Sequence, residues 1–224
     1  MHDLFNYFVK RCDSLNEQEV PNSITGRLKK LNRLNRENLK SQLIEKGKQL
    51  EASGLNNVIS WLETCITLIN EHAFHFNQVF FSPGKEIKNE IRQLLDHATE
   101  TVDLCIFTIT DNELAKKIKS CHKRGVKVRI ITDDEKVEDN GSEITELAKA
   151  GIPVKTDHSH YHMHNKFGII DGQIAITGSF NWTYTATKHN QENLLATTKY
   201  EIVKQYNEEF ERLWKELFDF KILV

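Results

Sequence analysis

The sequence predicts an α/β fold, a mixed β-sheet flanked by helices, with a helical N-terminal domain ahead of it. Three observations carry this. Apolar residues before about residue 76 recur only at helical spacing, short β-branched runs alternate with amphipathic segments from Gln78 onward, and Gly, Asp, Asn or Pro punctuates most of the boundaries between those segments. The expected division is a helical domain over 1–76 and an α/β domain over 77–224.

In the first domain Leu4, Phe5, Phe8 and Val9, and later Val58, Ile59, Leu62, Ile66 and Ile69, share helix faces. About three helices are expected, with breaks at 21–26 and 53–54 and with Ser60 and Trp61 inside the third. Between Arg27 and Lys48 lie eight basic residues against Glu37 and Glu45, interleaved with Leu28, Leu31, Leu39 and Leu43, which suggests one amphipathic helix. Two readings stay open for it. It is a face that tracks phosphates, with Lys30 and Arg33 as substrate contacts, or it is an ordinary solvated face; a helix lying on an anionic membrane is a weaker third. The aromatics Phe74, Phe76, Phe80 and Phe81 read as core where the two domains meet rather than as a base-stacking platform.

The second domain opens with a short strand at 79–81, stopped by Ser82-Pro83-Gly84. A helix over 86–98 carries Ile87, Ile91, Leu94 and Leu95 on one face, and a β-branched strand follows over 102–110. Asp111 caps a helix over 112–123 that Gly125 ends. A buried strand at 126–132, an acidic turn, a helix at 142–150 and a short strand at 152–156 come next. Segments 166–170 and 174–177 form a hairpin turned by Asp171-Gly172, 193–198 is a further strand, and a helix over 199–218 closes the chain.

The chain has 224 residues, with 30 Lys plus Arg against 32 Asp plus Glu, so its net charge of −2 excludes a generally basic nucleic-acid-coating protein. Any polyanion-binding surface must be local. Hydrophobic residues at 39% and charged residues at 28% describe a chain that can bury a core, which excludes disordered and low-complexity classes. There is no run of the roughly 18–20 apolar residues that a membrane span needs, and the first residues do not read as a secretory or organelle-targeting segment. Cys12, Cys65, Cys105 and Cys121 are scattered without a CxxC, so they read as reduced thiols. The expectation from these features is a cytoplasmic protein without stable membrane association.

The densest chemistry lies over 164–181, HNKFGIIDGQIAITGSFN, which is H-x-K-x4-D-x6-G-S-x-N. Residues i and i+2 of a strand share a face, so His164 and Lys166 project together. An imidazole can serve as nucleophile or proton carrier near neutral pH, and a lysine supplies compact positive charge for phosphate oxygens. Gly178 allows close backbone approach, and Ser179 and Asn181 can donate to the same oxygens. The set suits an oxyanion. Upstream, His158, His160, His162 and His164 alternate, so an extended strand would align four imidazoles that could bind zinc or nickel; a polar approach to the site is the preferred reading.

This pattern resembles the phospholipase D superfamily, whose His-Lys-Asp motif with its following Gly-Ser and Asn is matched by His164, Lys166, Asp171, Gly178, Ser179 and Asn181. The flanking MHNKFGIID is most similar to the small single-motif branch that holds bacterial endonucleases and the Zucchini/mitochondrial cardiolipin hydrolase proteins, over about residues 78–220. The resemblance implies a phospholipase D-like fold and a phosphodiester hydrolase working without cofactor or metal through a covalent phosphohistidine on His164. It implies that Lys166 and Asn181 hold the phosphoryl oxygens with support from Ser179, that Glu192 orients the nucleophilic imidazole, and that Asp171 organises its turn rather than touching substrate. One motif per chain implies a homodimer, with His164 of the second copy as general acid. The first functional expectation is a nuclease acting on DNA or RNA. A lipid phosphodiesterase of the cardiolipin hydrolase type is the alternative, and a catalytically silent nucleic-acid-binding module the third.

Overall fold

The computed structural model describes residues 1–12, 20–31, 33–50, 55–71 and 76–222. The chain divides into two compact units, Met1–Phe74 and His75–Val224. The first contains α1 (His2–Val9), α2 (Asn22–Lys29), α3 (Arg33–Lys48) and α4 (Leu55–Glu71). These are four helices where about three were expected, because the basic segment is not one helix: α2 ends at Lys29 and α3 begins at Arg33. Pro21 sits at the N-cap of α2 and Gly26 lies within it, so the expected break at 21–26 is a helix start. The break expected at 53–54 lies outside the described residues. Leucines from both halves of the basic segment, Leu28, Leu39 and Leu43, are buried with Leu4, Phe8, Trp61, Cys65, Leu68 and Ile69. Trp61 donates its indole N–H to the Phe8 carbonyl at 3.1 Å, which satisfies the one polar atom that ring brings into the core.

The second unit is built on an eight-stranded sheet in the order β1-β7-β6-β5-β2-β3-β4-β8. The strands are β1 (Asn77–Phe81), β2 (Thr101–Ile106), β3 (Lys127–Thr132), β4 (Val154–Thr156), β5 (Lys166–Ile170), β6 (Ile174–Gly178), β7 (Asn193–Thr197) and β8 (Phe218–Asp219). Only β2 with β3 and β3 with β4 are parallel, the two steps joined through helices. Alternation along the strands divides two cores. Val102, Leu104 and Ile106 of β2 and Val128 and Ile130 of β3 face α5 (Glu86–His97), α6 (Asn112–Lys123) and α8 (Ile144–Lys149). Cys105, Ile131, Phe167, Ile169 and Ala175 face Val203 and Phe210 of α10 (Tyr200–Glu216). Asp111 caps α6 by accepting the N–H groups of Glu113 and Leu114. Two short elements escape local pattern, α7 (Asp134–Val137) in the acidic turn and α9 (Tyr184–Lys188). Among the aromatics singled out above, Phe76 and Phe80 pack partly against the first of these cores, whereas Phe81 is exposed; Phe74 lies outside the described residues.

Asp103 and Arg129 are cross-strand neighbours on the α10 face. Arg129 grips the Asp103 carboxylate with two hydrogen bonds, 2.7 and 3.0 Å, donates to Glu211 at 2.6 Å, and lies over the rings of Phe210 and Trp214. Burial pushes the Asp103 carboxyl up and the guanidinium pulls it back down, so the carboxylate depends on its partner. Arg129→Met is expected to destabilise the chain by about 3 kcal/mol, since it strands a buried carboxylate. Urea unfolding checks this, and a loss below about 1 kcal/mol would show that Asp103 is adequately solvated without the arginine.

Candidate active site

The parallel strands β2 and β3 end at the same edge of the sheet at which antiparallel β5 and β7 begin and β6 ends. Ile106 lies opposite Lys166, Phe167 opposite Thr177, and Gly178 opposite Leu194. The motif residues are gathered at that edge by register. His164 lies two residues before β5, outside the strand, yet the alternation persists: the Lys166 ammonium is 3.2 Å from His164 Nδ1 and 3.3 Å from Nε2, and it donates to the His164 carbonyl at 2.8 Å. The Phe107 ring forms a floor for both, with its centroid 4.5 Å from that of His164 and 5.0 Å from the Lys166 nitrogen. Phe107 N–H donates to the Asn165 carbonyl at 2.9 Å, which ties the exit of β2 to the motif.

Electrostatics follow from this crowding. Burial lowers the His164 pKa, and the positive charge of Lys166 lowers it further, against a small opposing effect of Asp133. Burial also lowers Lys166, while the charge of Glu192 raises it. The imidazole is therefore biased towards its neutral, nucleophilic form beside a charged ammonium.

Gly178 lets β6 approach β7 closely: a Cβ there would meet the Asn193 carbonyl oxygen at 2.1 Å. The Ser179 hydroxyl accepts the Asn193 N–H at 3.1 Å, so it anchors the start of β7. Asn181 Oδ1 is buried with no hydrogen-bond partner among the described residues, in a loop pinned by the buried Trp182, whose carbonyl accepts from Thr110 and Asp111. That oxygen can only accept, so a phosphoryl oxygen would be met by the amide's Nδ2 group instead. Glu192 is brought to the same edge, but its carboxylate accepts from Asn190 at 3.0 Å and acts on the charge of Lys166; the hydrogen bond expected to the His164 ring is not among the contacts of the described residues.

Asp171 stands apart. At the opposite end of β5 it accepts the N–H groups of Thr99, Glu100 and Thr101 and the Thr99 hydroxyl, at 2.7–3.1 Å. With φ of 52° beside Gly172 at 60°, it forms the hairpin turn. Lys30 belongs to the first unit and is exposed at the end of α2; Arg33 starts α3, and its side chain lies outside the described residues. The histidine stripe is not a strand: 157–165 is irregular, and His162 turns to the buried carboxylate of Asp133. Sequence reasoning missed Phe107 and Asp133. Phe107 lies in an unbroken apolar run that reads as core, whereas an aspartate ending the apolar strand β3 was a usable signal.

Residues 91–214 match the family described as cardiolipin synthase, PLD-like domain. A mitochondrial cardiolipin hydrolase of Xenopus tropicalis is 46% identical over 123 residues, covering 55% of this chain and 59% of that protein. The human protein of the same name is 41% identical over 133 residues, covering 59% of this chain and 53% of its own length. The chain thus spans between half and three fifths of the length of these relatives. Among solved structures, Nuc from Salmonella typhimurium, a phospholipase D family member, superposes with a TM-score of 0.62 at 26% identity, over 66% of this chain and 100% of Nuc. These relatives correct the expectation of a cytoplasmic location, since they are named for mitochondria. Among the described residues no helix is long and apolar enough to cross a membrane.

Proposed function

Because this chain belongs to the phospholipase D-like domain family, we propose that it hydrolyses a phosphodiester through His164, and that a phospholipid diester of the cardiolipin class is its first substrate. The observation that carries the reading is the Lys166 ammonium set 3.2–3.3 Å from both ring nitrogens of a His164 whose pKa is lowered. In the proposed reaction the neutral imidazole attacks phosphorus, an N–P bond forms as the P–O ester bond breaks, and the leaving oxygen takes a proton from a general acid. Water then attacks phosphorus while giving a proton back to that same group, the N–P bond breaks, and a phosphate monoester leaves with the imidazole neutral again. The Lys166 ammonium neutralises the phosphoryl oxygens and the Asn181 Nδ2 group donates to them in both steps. Each chain has one His164, so the acid comes from a second copy in a homodimer.

The lipid substrate stands ahead of the nucleic acid that the sequence put first, because the similar curated proteins are cardiolipin hydrolases by name. Nucleic-acid cleavage at the same site is the second reading. It is favoured by the match along all of Nuc and by the basic residues of α2 and α3. Incubating the protein in excess EDTA with cardiolipin vesicles, and separately with labelled single- and double-stranded DNA and RNA, decides between them. Release of phosphatidic acid by wild type but not by His164→Ala supports the first reading; cleavage of nucleic acid alone supports the second. No turnover of either class would overturn both.

The electrostatics make a further prediction. Lys166→Met is expected to raise the His164 pKa only part of the way towards the ordinary imidazole value, since burial, the larger cause, persists. A ring-proton NMR titration measures this directly, and an unmoved pKa would remove Lys166 from control of the nucleophile. In wild type the lowered pKa places the acid limb of kcat/KM below the ordinary histidine range.

A further inference from the structure

The histidines ahead of the nucleophile are not used by the reaction above. His162 is turned so that its Nδ1 stands 3.1 Å from Asp133 Oδ2 and 3.9 Å from Glu135 Oε2. All three residues offer one ligand atom within 4.8 Å of the others. A tetrahedral Zn²⁺ with bonds of about 2.0–2.2 Å requires ligand atoms about 3.3–3.5 Å apart, a value that lies between the two measured separations. The Glu135 and His162 side chains are 66% and 49% exposed, so they can close on an ion without disturbing the core.

We propose that Asp133, Glu135 and His162 form a binding site for a divalent cation of the Zn²⁺ type beside the nucleophile, with a fourth position open to solvent. A second observation points to the same ligand. Asp133 is wholly buried, and while its Oδ2 accepts the Met163 N–H at 3.0 Å, its Oδ1 has no hydrogen-bond partner among the described residues. A buried carboxylate with one oxygen lacking a donor is costly to keep ionised, and a cation bound at its other oxygen lowers that cost by offsetting the charge. Asp133 also meets Asp134 and Asp157, whose ligand atoms again lie within 4.8 Å. Three carboxylates thus gather here, where the Asp134 N–H donates to Asp157 Oδ1 at 3.3 Å and His158 Nδ1 lies 3.4 Å from the Asp134 carboxylate. The adjacent cation, Lys136, pairs with Asp139 at 3.1 Å. One imidazole with two carboxylates selects zinc over calcium or magnesium.

Zn²⁺ bound here fixes the segment that leads into His164, through His162 on one side and the Met163 N–H on the other. The test is calorimetric titration of the full chain with Zn²⁺ alone, after stripping with EDTA and exchange into chelator-free buffer. The expected result is one ion per chain, with affinity about tenfold or more weaker in His162→Ala and in Glu135→Ala, both at exposed positions that leave the fold intact. His160→Ala, a neighbour outside the cluster, is expected to bind as wild type does, and Zn²⁺ should raise the Tm of wild type but not of His162→Ala. Wild-type affinity in both ligand variants, an equal loss in His160→Ala, or no stoichiometric binding would each overturn the site. The readout is binding and not turnover, so it stands or falls separately from the hydrolase reading.

Discussion

His164→Ala is expected to give a folded chain that turns over phosphodiester about 10⁴-fold more slowly than wild type, or not measurably. The imidazole is only partly desolvated at an exposed position, and among the described residues it meets the Lys166 ammonium and the face of Phe107. Its loss should therefore cost less than about 1 kcal/mol of stability, as for other exposed side chains. On the proposed mechanism catalysis loses the atom that would form the bond to phosphorus, for which neither Lys166 nor Asn181 substitutes. If those two residues hold the substrate phosphate as proposed, the variant should still compete for substrate. Turnover within about tenfold of wild type would refute covalent catalysis at this position, and circular dichroism beside the assay separates that outcome from unfolding.

Gly178→Ala has the largest expected structural effect. The obstacle is space: an added Cβ meets the Asn193 carbonyl oxygen at 2.1 Å, the Asn193 carbonyl carbon at 2.8 Å and Leu194 Cα at 3.0 Å, all backbone of the paired strand β7. Overpacking against movable side chains costs about 1–3 kcal/mol. Here the strand itself has to retreat, so a loss of about 3 kcal/mol or more is expected in urea. Gly168→Ala is the comparison, since its nearest obstacle, at 2.9 Å, is Leu104 Cδ2, the tip of a side chain that can turn aside. Ser179, Asn181 and Glu192 flank the β6–β7 contact, so Gly178→Ala should also lose turnover in whatever fraction remains folded. Equal stability of the two alanine variants would mean that β7 yields freely.

The strands and helices that were legible in the sequence are those written by local rules. β5, Lys166–Ile170, has both expected ends because an apolar run meets a turn pair, and α6, Asn112–Lys123, because Asp111 caps it. β8 is missing from the sequence reading, whose closing helix over 199–218 takes in only its first residue, because both residues are defined by pairing with Lys155 and Thr156, which no local period announces. The histidine stripe alternates like a strand, but His162 is taken by Asp133 and the segment stays irregular. The site divides the same way. His164 and Lys166 were legible because two residues on one chain segment define their juxtaposition. Phe107 beneath them and Asp133 beside them come from other strands, and a contact made by topology leaves no mark in local spacing. Glu192 reached the right edge of the sheet, but its expected contact did not follow, because Asn190 is the amide that holds its carboxylate.

The third letter of the His-Lys-Asp motif acts as a ruler. By clamping the first residues of β2, Asp171 indexes β5 against β2 from the far end, and Lys166 opposite Ile106 is the reading five residues along. A slip of one residue would send Lys166 and His164 together to the other face of the sheet, away from Phe107 at the exit of β2. An assay of Asp171 variants is thus expected to show lost turnover although its carboxylate is taken up by Thr99, Glu100 and Thr101 at the far end of β5: what it supplies is alignment, and damage there should appear as a histidine and an ammonium out of place rather than as a missing chemical group.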